Sequence, residues 1–430
     1  MKKCCVVFLI LAFMLVSLSF AKSHIVWLTH WTDFQLNGVE NEDGTIATKG
    51  LQQYIDEYQS MNPTVEIEIQ SVPFEEYLKK ILIGHTAGKV ADIYGLYSLW
   101  GVQLLDSAIL DSVPSDVEKL IKEEGVEAAV KGVTIEGKIR GIPMEIDNYA
   151  FLYNKKILAE AGYDAPPSTW EEMCDMAGKL TVIAEDGTTN RYGFAFLSGW
   201  DSAVVHPYLS LLYSLGGRMF SEDYSKCLLD SPEAIKALEE ELVLFNNGAT
   251  DPAASVYDFA TGKVAMIIMA PWYETSLKIA FKDDYEQTVG VAPIPKLKEQ
   301  ISAGYTWLLA VDRMSDVKAE SWEFLKWLAF DKTEQGRTRL GELMALNIGG
   351  LPTMKTDLTA FPDELRDLYT SVFIDELKNT VSEPNVFQGQ EIKLILMRQI
   401  VEAWHKEKTP EAALKEATKE IDEILSEYYF

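Results

Sequence analysis

The feature that most constrains this chain is a strand–helix rhythm that runs once, stops at an acidic extended segment near position 145, and starts again. Ile25 to Thr29 reads as a strand and Asn37 to Thr48 as a polar loop. A helix follows in which Leu51, Tyr54, Ile55, Tyr58 and Met61 share one face, closed by Asn62-Pro63. Val65, Ile67 and Ile69 alternate with Glu66, Glu68 and Gln70, which makes a strand with one wet face. Phe74 to His85 reads as a helix and Asp92 to Leu96 as a short buried strand. Alternation of this kind builds a parallel α/β sheet.

After position 150 the rhythm restarts. Ser168 with Glu171 three residues on predicts a capping box opening a helix. Ser231-Pro232 starts another helix, which Asn247-Gly248 closes. Val264 to Met269 suits a central strand, and Val289 to Pro295 is a strand broken by two prolines. Ala303 to Val311 is a strand, Val317 to Phe330 a helix, and the pattern from Phe361 onward is purely helical. No flexible tether separates the two units. The predicted division is therefore 22–142 plus 296–348 for a first lobe, and 143–295 plus 349–430 for a second. Short crossings fall near 142–147, 291–295 and 348–352. Three crossings put the two chain ends in different lobes.

The stretch Gly141 to Lys156 holds the first crossing. Glu145 and Asp147 stand two residues apart, so in extended chain both carboxylates point to one side. Buried carboxylates are costly unless something hydrogen-bonds to them. The segment is either a solvated sheet edge or a polar ligand site between lobes.

Met1 to Ala21 reads as a secretory signal peptide. Lys2 and Lys3 precede thirteen apolar residues, Cys4 to Val16, and Ser19-Phe20-Ala21 offers a cleavage site. No cysteine follows that site, so the mature chain is expected from Lys22 as a free periplasmic protein. The sequence carries 66 acidic against 39 basic residues, a net charge of -27. Such a surface repels phosphate backbones and anionic lipid, which argues against nucleic-acid or membrane-surface binding. Beyond the leader only Cys174 and Cys227 remain, and their pairing is open.

Catalytic and metal motifs are missing. The five histidines make no zinc pattern, there is no Gly-x-Ser-x-Gly, Cys-x-x-Cys or Gly-x-Gly-x-x-Gly, and Gly84 to Val90 is one residue short of a phosphate loop. No cofactor or metal is expected. Paired carboxylates leave a secreted glycosidase as the alternative. The aromatics are more informative. Trp170, Trp322, Trp327 and Trp404 lie on amphipathic helices and are expected in cores. Trp31, Trp100, Trp200, Trp272 and Trp307 instead fall at strand ends or in loops. Polar or aromatic partners accompany several of them: Asp33, Tyr97, Asp201 and Tyr273. Aromatic faces stack on the C–H faces of sugars, while carboxylates bind hydroxyls. Arginine is scarce in these stretches, so a neutral polyol is expected rather than an anion.

An ordered set of short motifs spans the chain. It comprises Tyr153-Asn154-Lys155-Lys156, Ala161-Gly162, Thr169-Trp170-Glu171-Glu172, Gly262-Lys-Val-Ala-Met, Ala270-Pro271-Trp272, Gly290-Val-Ala-Pro-Ile-Pro and Pro410-Glu-Ala-Ala-Leu. With these the chain resembles the extracellular solute-binding proteins of bacterial ABC sugar importers, the family of the maltodextrin-binding proteins. Alanine at 91 and 270, in place of the family's usual proline and glycine, departs from the pattern. So does a longer segment over 33–48. The resemblance implies an α/β, two-lobed periplasmic-binding-protein fold, each lobe a mostly parallel sheet flanked by helices, closing on a sugar without catalysis. It implies a monomer that delivers its ligand to membrane permease subunits. By position it makes Asp147 a ligand carboxylate and Trp272 a stacking ring, and it carries over Trp31, Tyr97, Trp100, Trp200 and Trp307. Glu145 is added from its geometry.

Overall fold

In the computed structural model, residues 22–41, 43–361 and 369–429 are described. The leader over 1–21 lies outside the described residues. Two main sheets form. In the first, the strands Ser23–Thr29, Val65–Ser71 and Ile93–Tyr97 run parallel. Ser302–Val311 joins antiparallel to Ile93–Tyr97, and Ile142–Asn148 lies antiparallel on its other side. The second sheet runs in the order Val182–Ile183, Thr189–Ala195, Val264–Met269, Ala150–Asn154, Val289–Ala292.

Among the described residues three of the five pairings in the first sheet are parallel, whereas the second sheet is mixed rather than mostly parallel. Within the second, only Thr189–Ala195 and Val264–Met269 pair in parallel. Ala150–Asn154 and Val289–Ala292 belong to the crossing segments, and each enters against the direction of its neighbour. Ala150–Asn154, antiparallel to both of its neighbours, and the local hairpin of Val182–Ile183 with Thr189–Ala195 break the parallel pattern. Val264–Met269 is central and buried at every residue, as its unbroken apolar run requires.

Three local expectations change. The capping box sits one residue later: Thr169 Oγ1 accepts from Glu172 N at 3.3 Å, and Glu172 Oε2 accepts from Thr169 N at 3.2 Å. That register buries Trp170, whose Nε1 donates to Glu240 O at 3.0 Å. The segment after Phe361 is not purely helical, because Thr380–Ser382 pairs with the start of Ser302–Val311. The polar loop over 37–48 contains a small two-stranded ladder, Val39–Glu40 with Ile46–Thr48.

The crossings converge. Ile142–Asn148 belongs to the first sheet along its length, and the chain enters the second sheet at Ala150. Ser302 Oγ accepts from Tyr149 N at 2.9 Å and donates to Tyr149 O at 2.7 Å, which ties the junction between Ile142–Asn148 and Ala150–Asn154 to the start of Ser302–Val311. Leu351 on the third crossing donates its N–H to Asp147 Oδ1 at 3.3 Å. Separate cores flank the sheets: Trp322 and Trp327 pack in one, Trp170 and Trp404 in the other. Cys174 and Cys227 are buried free thiols, each pushed up to about 12 by burial.

Candidate ligand-binding site

Where parallel strands end, backbone groups and the following loops are free to make a site. The parallel strands of the first sheet deliver Trp31 and Tyr97 to one region, and those of the second deliver Trp200 and Trp272 to the same region. Between them lies a cavity of about 490 Å³. This size falls in the ~300–1,000 Å³ range of small-molecule sites.

The wall from the first sheet is an aromatic stack. Tyr97 and Trp307 lie nearly parallel with centroids 5.4 Å apart, and His30 also stacks on Trp307, at 4.7 Å. Burial lowers the His30 imidazole to about 4, so the ring is neutral at pH 7. The facing wall is Trp200 set edge-on to Trp272 at 5.5 Å. Trp272 does more than line the cavity: its Nε1 donates to the Tyr305 hydroxyl at 3.1 Å, and that hydroxyl donates to Asp147 Oδ2 at 2.9 Å. Each wall thus has an apolar face and a fixed orientation. No lysine or arginine lines the cavity among the described residues.

Register explains the floor. Glu145 pairs with Trp307 and Asp147 with Tyr305 across the two antiparallel strands, so all four side chains leave one face of the sheet. Glu145 reaches the cavity. Its carboxyl is held well above the usual range by burial first and by the Asp147 carboxylate second. Asp147 is fully buried behind Tyr305. Burial raises its carboxyl too, while the Glu145 acid, the Tyr305 hydroxyl and the Leu351 N–H act in the opposite direction.

Beside the floor is a buried ionic cluster. Lys393 Nζ lies 2.8 Å from Glu383 Oε1 and donates to the Tyr97 hydroxyl at 2.9 Å and to Ser202 Oγ at 3.0 Å. Tyr97 also hydrogen-bonds to Glu383 Oε2. His206 Nε2 stands 3.1 Å from Glu383 Oε1, and its Nδ1 2.9 Å from the Tyr149 hydroxyl. Burial would raise Glu383, but Lys393 and His206 overcome it and hold the carboxylate well below its ordinary value. With Glu383 ionised, the neutral imidazole donates from Nε2 and accepts at Nδ1. One turn before Lys393, Gln390 accepts from Trp100 Nε1 at 3.1 Å and donates to Asp201 Oδ2 at 2.7 Å.

Of the residues singled out from sequence, Trp31, Tyr97, Glu145, Trp200, Asp201, Trp272 and Trp307 line the cavity. Four stand elsewhere. Asp147 is covered by Tyr305, and Trp100 is buried with its indole N–H taken by Gln390. Tyr273 points into the core, since its neighbour Trp272 takes the outward position on the turn. Asp33 is exposed on a short helix and accepts from Asn37 Nδ2 at 2.8 Å. The structure adds His30, Tyr149, Ser202, Tyr305 and Gln390 to the lining. Tyr305 was open to inference, because it lies two residues before Trp307 on the same strand face. Gln390 was not: nothing local links a helix start at 389 to Asp201.

Two sheets and a cavity walled from both sides define a ligand-binding protein of the two-lobed kind. The chain belongs to the bacterial extracellular solute-binding protein family, whose model matches residues 42–335. It is 24% identical over 384 residues to the maltodextrin-binding protein of Bacillus subtilis, covering 85% of each chain. To the maltotriose-binding protein of Pyrococcus abyssi it is 24% identical over 315 residues, 71% of this chain and 63% of that protein. In three dimensions it is similar to an ABC substrate-binding protein of Listeria monocytogenes in complex with cycloalternan. There the TM-score is 0.76 at 19% identity, covering 94% of this chain and 99% of that one. The sugar-binding protein MalE of Xanthomonas citri matches with a TM-score of 0.76 at 20% identity, over 94% and 98%.

Proposed function

We propose that this protein is the sugar-capturing component of an ABC importer, binding an uncharged mono- or oligosaccharide between lobes built on the two sheets. The observation that carries this reading is the cavity itself: aromatic faces from both sheets, carboxyl and amide groups at its edges, and no lysine or arginine in its wall. Aromatic rings bind the apolar faces of a pyranose, and the polar groups select the pattern of its hydroxyls. Contacts from the second wall favour the closed arrangement, which presents the ligand to membrane permease subunits. The expected setting is the periplasm, reached through the leader over 1–21, and the expected working form is a monomer. Relatives that bind maltodextrin and maltotriose support a sugar as the ligand class.

A thermal-shift panel of neutral, amino and acidic sugars tests it. A ligand at a hundred times its dissociation constant stabilises by about 2.7 kcal/mol. A neutral sugar that raises the melting temperature and is recovered intact after long incubation is the expected result. Failure of every sugar to shift the transition overturns the reading, and recovery of hydrolysed sugar favours a glycosidase.

A further inference from the structure

Glu145 is nine-tenths buried and lines the cavity, and among the described residues Asp147, on the same strand face, is the charged side chain that acts on it. The groups facing this pair come from four places. Tyr305 on the opposite strand donates to Asp147, while Trp307 lies across from Glu145. The third crossing contributes the Leu351 N–H to Asp147 and presses Gly350 on the Glu145 carboxyl, so close that an added Cβ would sit 2.7 Å from its carbon. Trp272 acts only through Tyr305. The Tyr149 hydroxyl, a second titratable group near the floor, is committed to His206. Among the described residues, no lysine or arginine acts on either carboxyl.

Two carboxyls carried two residues apart on one strand face, out of water and without a cation, cannot both ionise. The donors are unevenly shared. Asp147 receives an O–H and an N–H, whereas Glu145 receives neither. The charge therefore settles on Asp147. We propose that Glu145 and Asp147 hold one proton between them, so that Glu145 meets the ligand as an uncharged acid and determines specificity for sugars without a charged group. The ligand half of this statement rests on the sugar-binding reading; the proton half does not. With its O–H directed to Asp147, Glu145 offers the cavity a carbonyl oxygen, an acceptor for a sugar hydroxyl. A second negative charge there would reward an amino sugar instead.

The test is Glu145→Gln, because an amide reproduces the shape and hydrogen bonding of the neutral acid. In the ligand-free protein near pH 7, the difference infrared spectrum should lose one protonated-carboxyl C=O band. Stability of wild type and variant should then be compared from about pH 5 to 9. Each pH unit over which the unfolded glutamate is ionised and the folded one is not lowers the wild-type folding constant about tenfold. The variant lacks this loss, so its relative stability should climb with pH. With maltotriose as the probe, the variant should bind within about threefold of wild type, whereas Glu145→Ala should lose roughly tenfold or more.

The proposal is overturned if no band is lost, if the stability difference is flat with pH, or if the glutamine variant does not fold. A tenfold loss of maltotriose binding by Glu145→Gln also overturns it. If wild type binds no sugar at all, the function proposed above fails, and the infrared band and the pH comparison still decide the state of the pair.

Discussion

Lys393→Met tests whether the buried ionic cluster holds the two sheets in place around the cavity. Lys393 and Glu383 are both buried, and their contact of 2.8 Å is joined by Tyr97 from the first sheet and by Ser202 and His206 from the helix Asp201–Ser214. Removing the ammonium leaves the Glu383 carboxylate out of water with only a hydroxyl and an imidazole. Loss of one partner of a buried pair costs about 3–5 kcal/mol. With an unfolding entropy of about 2.1 cal/mol/K per residue, 1 kcal/mol is worth roughly 1 °C in a chain of this length, so the melting temperature should fall by about 3–6 °C. The double change Lys393→Met with Glu383→Gln removes both charges and should recover most of that loss, since an uncharged pair carries no unpaired ion. Urea unfolding of the four proteins of the cycle measures this directly. Acid supplies a second check. Glu383 is held below its ordinary value of 4.5 in the folded state, so its contribution is present above that pH and disappears as pH falls through the folded value. The gap between wild type and Lys393→Met should accordingly narrow below about pH 4.5. A loss under about 1 kcal/mol for Lys393→Met, or simple additivity in the double variant, would refute the reasoning.

Trp272→Ala should weaken sugar binding roughly tenfold, the cost of about 1.4 kcal/mol of stacking. It should also lower ligand-free stability by about 1–3 kcal/mol, because the ring packs on Trp200 and donates to Tyr305; isothermal titration and urea unfolding separate the two effects, and unchanged affinity would take Trp272 out of the site. Glu241 is fully buried, pushed up to about 8 by burial, and among the described residues accepts only from Trp404 Nε1, at 3.2 Å. Its folded value is raised, so stability is lost as pH climbs from about 4.5 to 8; Glu241→Gln should gain on wild type over that window, by on the order of 4 kcal/mol at its end. Urea unfolding as a function of pH checks this. Cys174 and Cys227 should not react with a thiol reagent in the native protein and should both react in denaturant, because burial suppresses their thiolates.

Periodicity was enough for several of the elements that build the sheets, since a strand buried on both faces and a helix with one apolar face leave patterns in the chain itself. Val264–Met269 and the helix Leu51–Met61 are cases in point. It missed Thr189–Ala195 and Thr380–Ser382. The placement of tryptophan at strand ends likewise pointed to a site: four of the five line the cavity, while Trp100 is taken into the core. Local sequence could not say which of two neighbouring carboxylates would face the ligand. Glu145 and Asp147 share a strand face, and the choice was made by Tyr305, 158 residues from Asp147, whose hydroxyl covers one and leaves the other open. The same holds for Gln390, which lines the cavity, and for Lys393, buried beside its floor, because a helix near the chain's end packs where both sheets meet. Period and capping are short-range properties of a chain, and they fixed several of the elements. Hydrogen bonds across the crossings are long-range, and only the folded arrangement determines which polar groups are covered and which remain for a ligand.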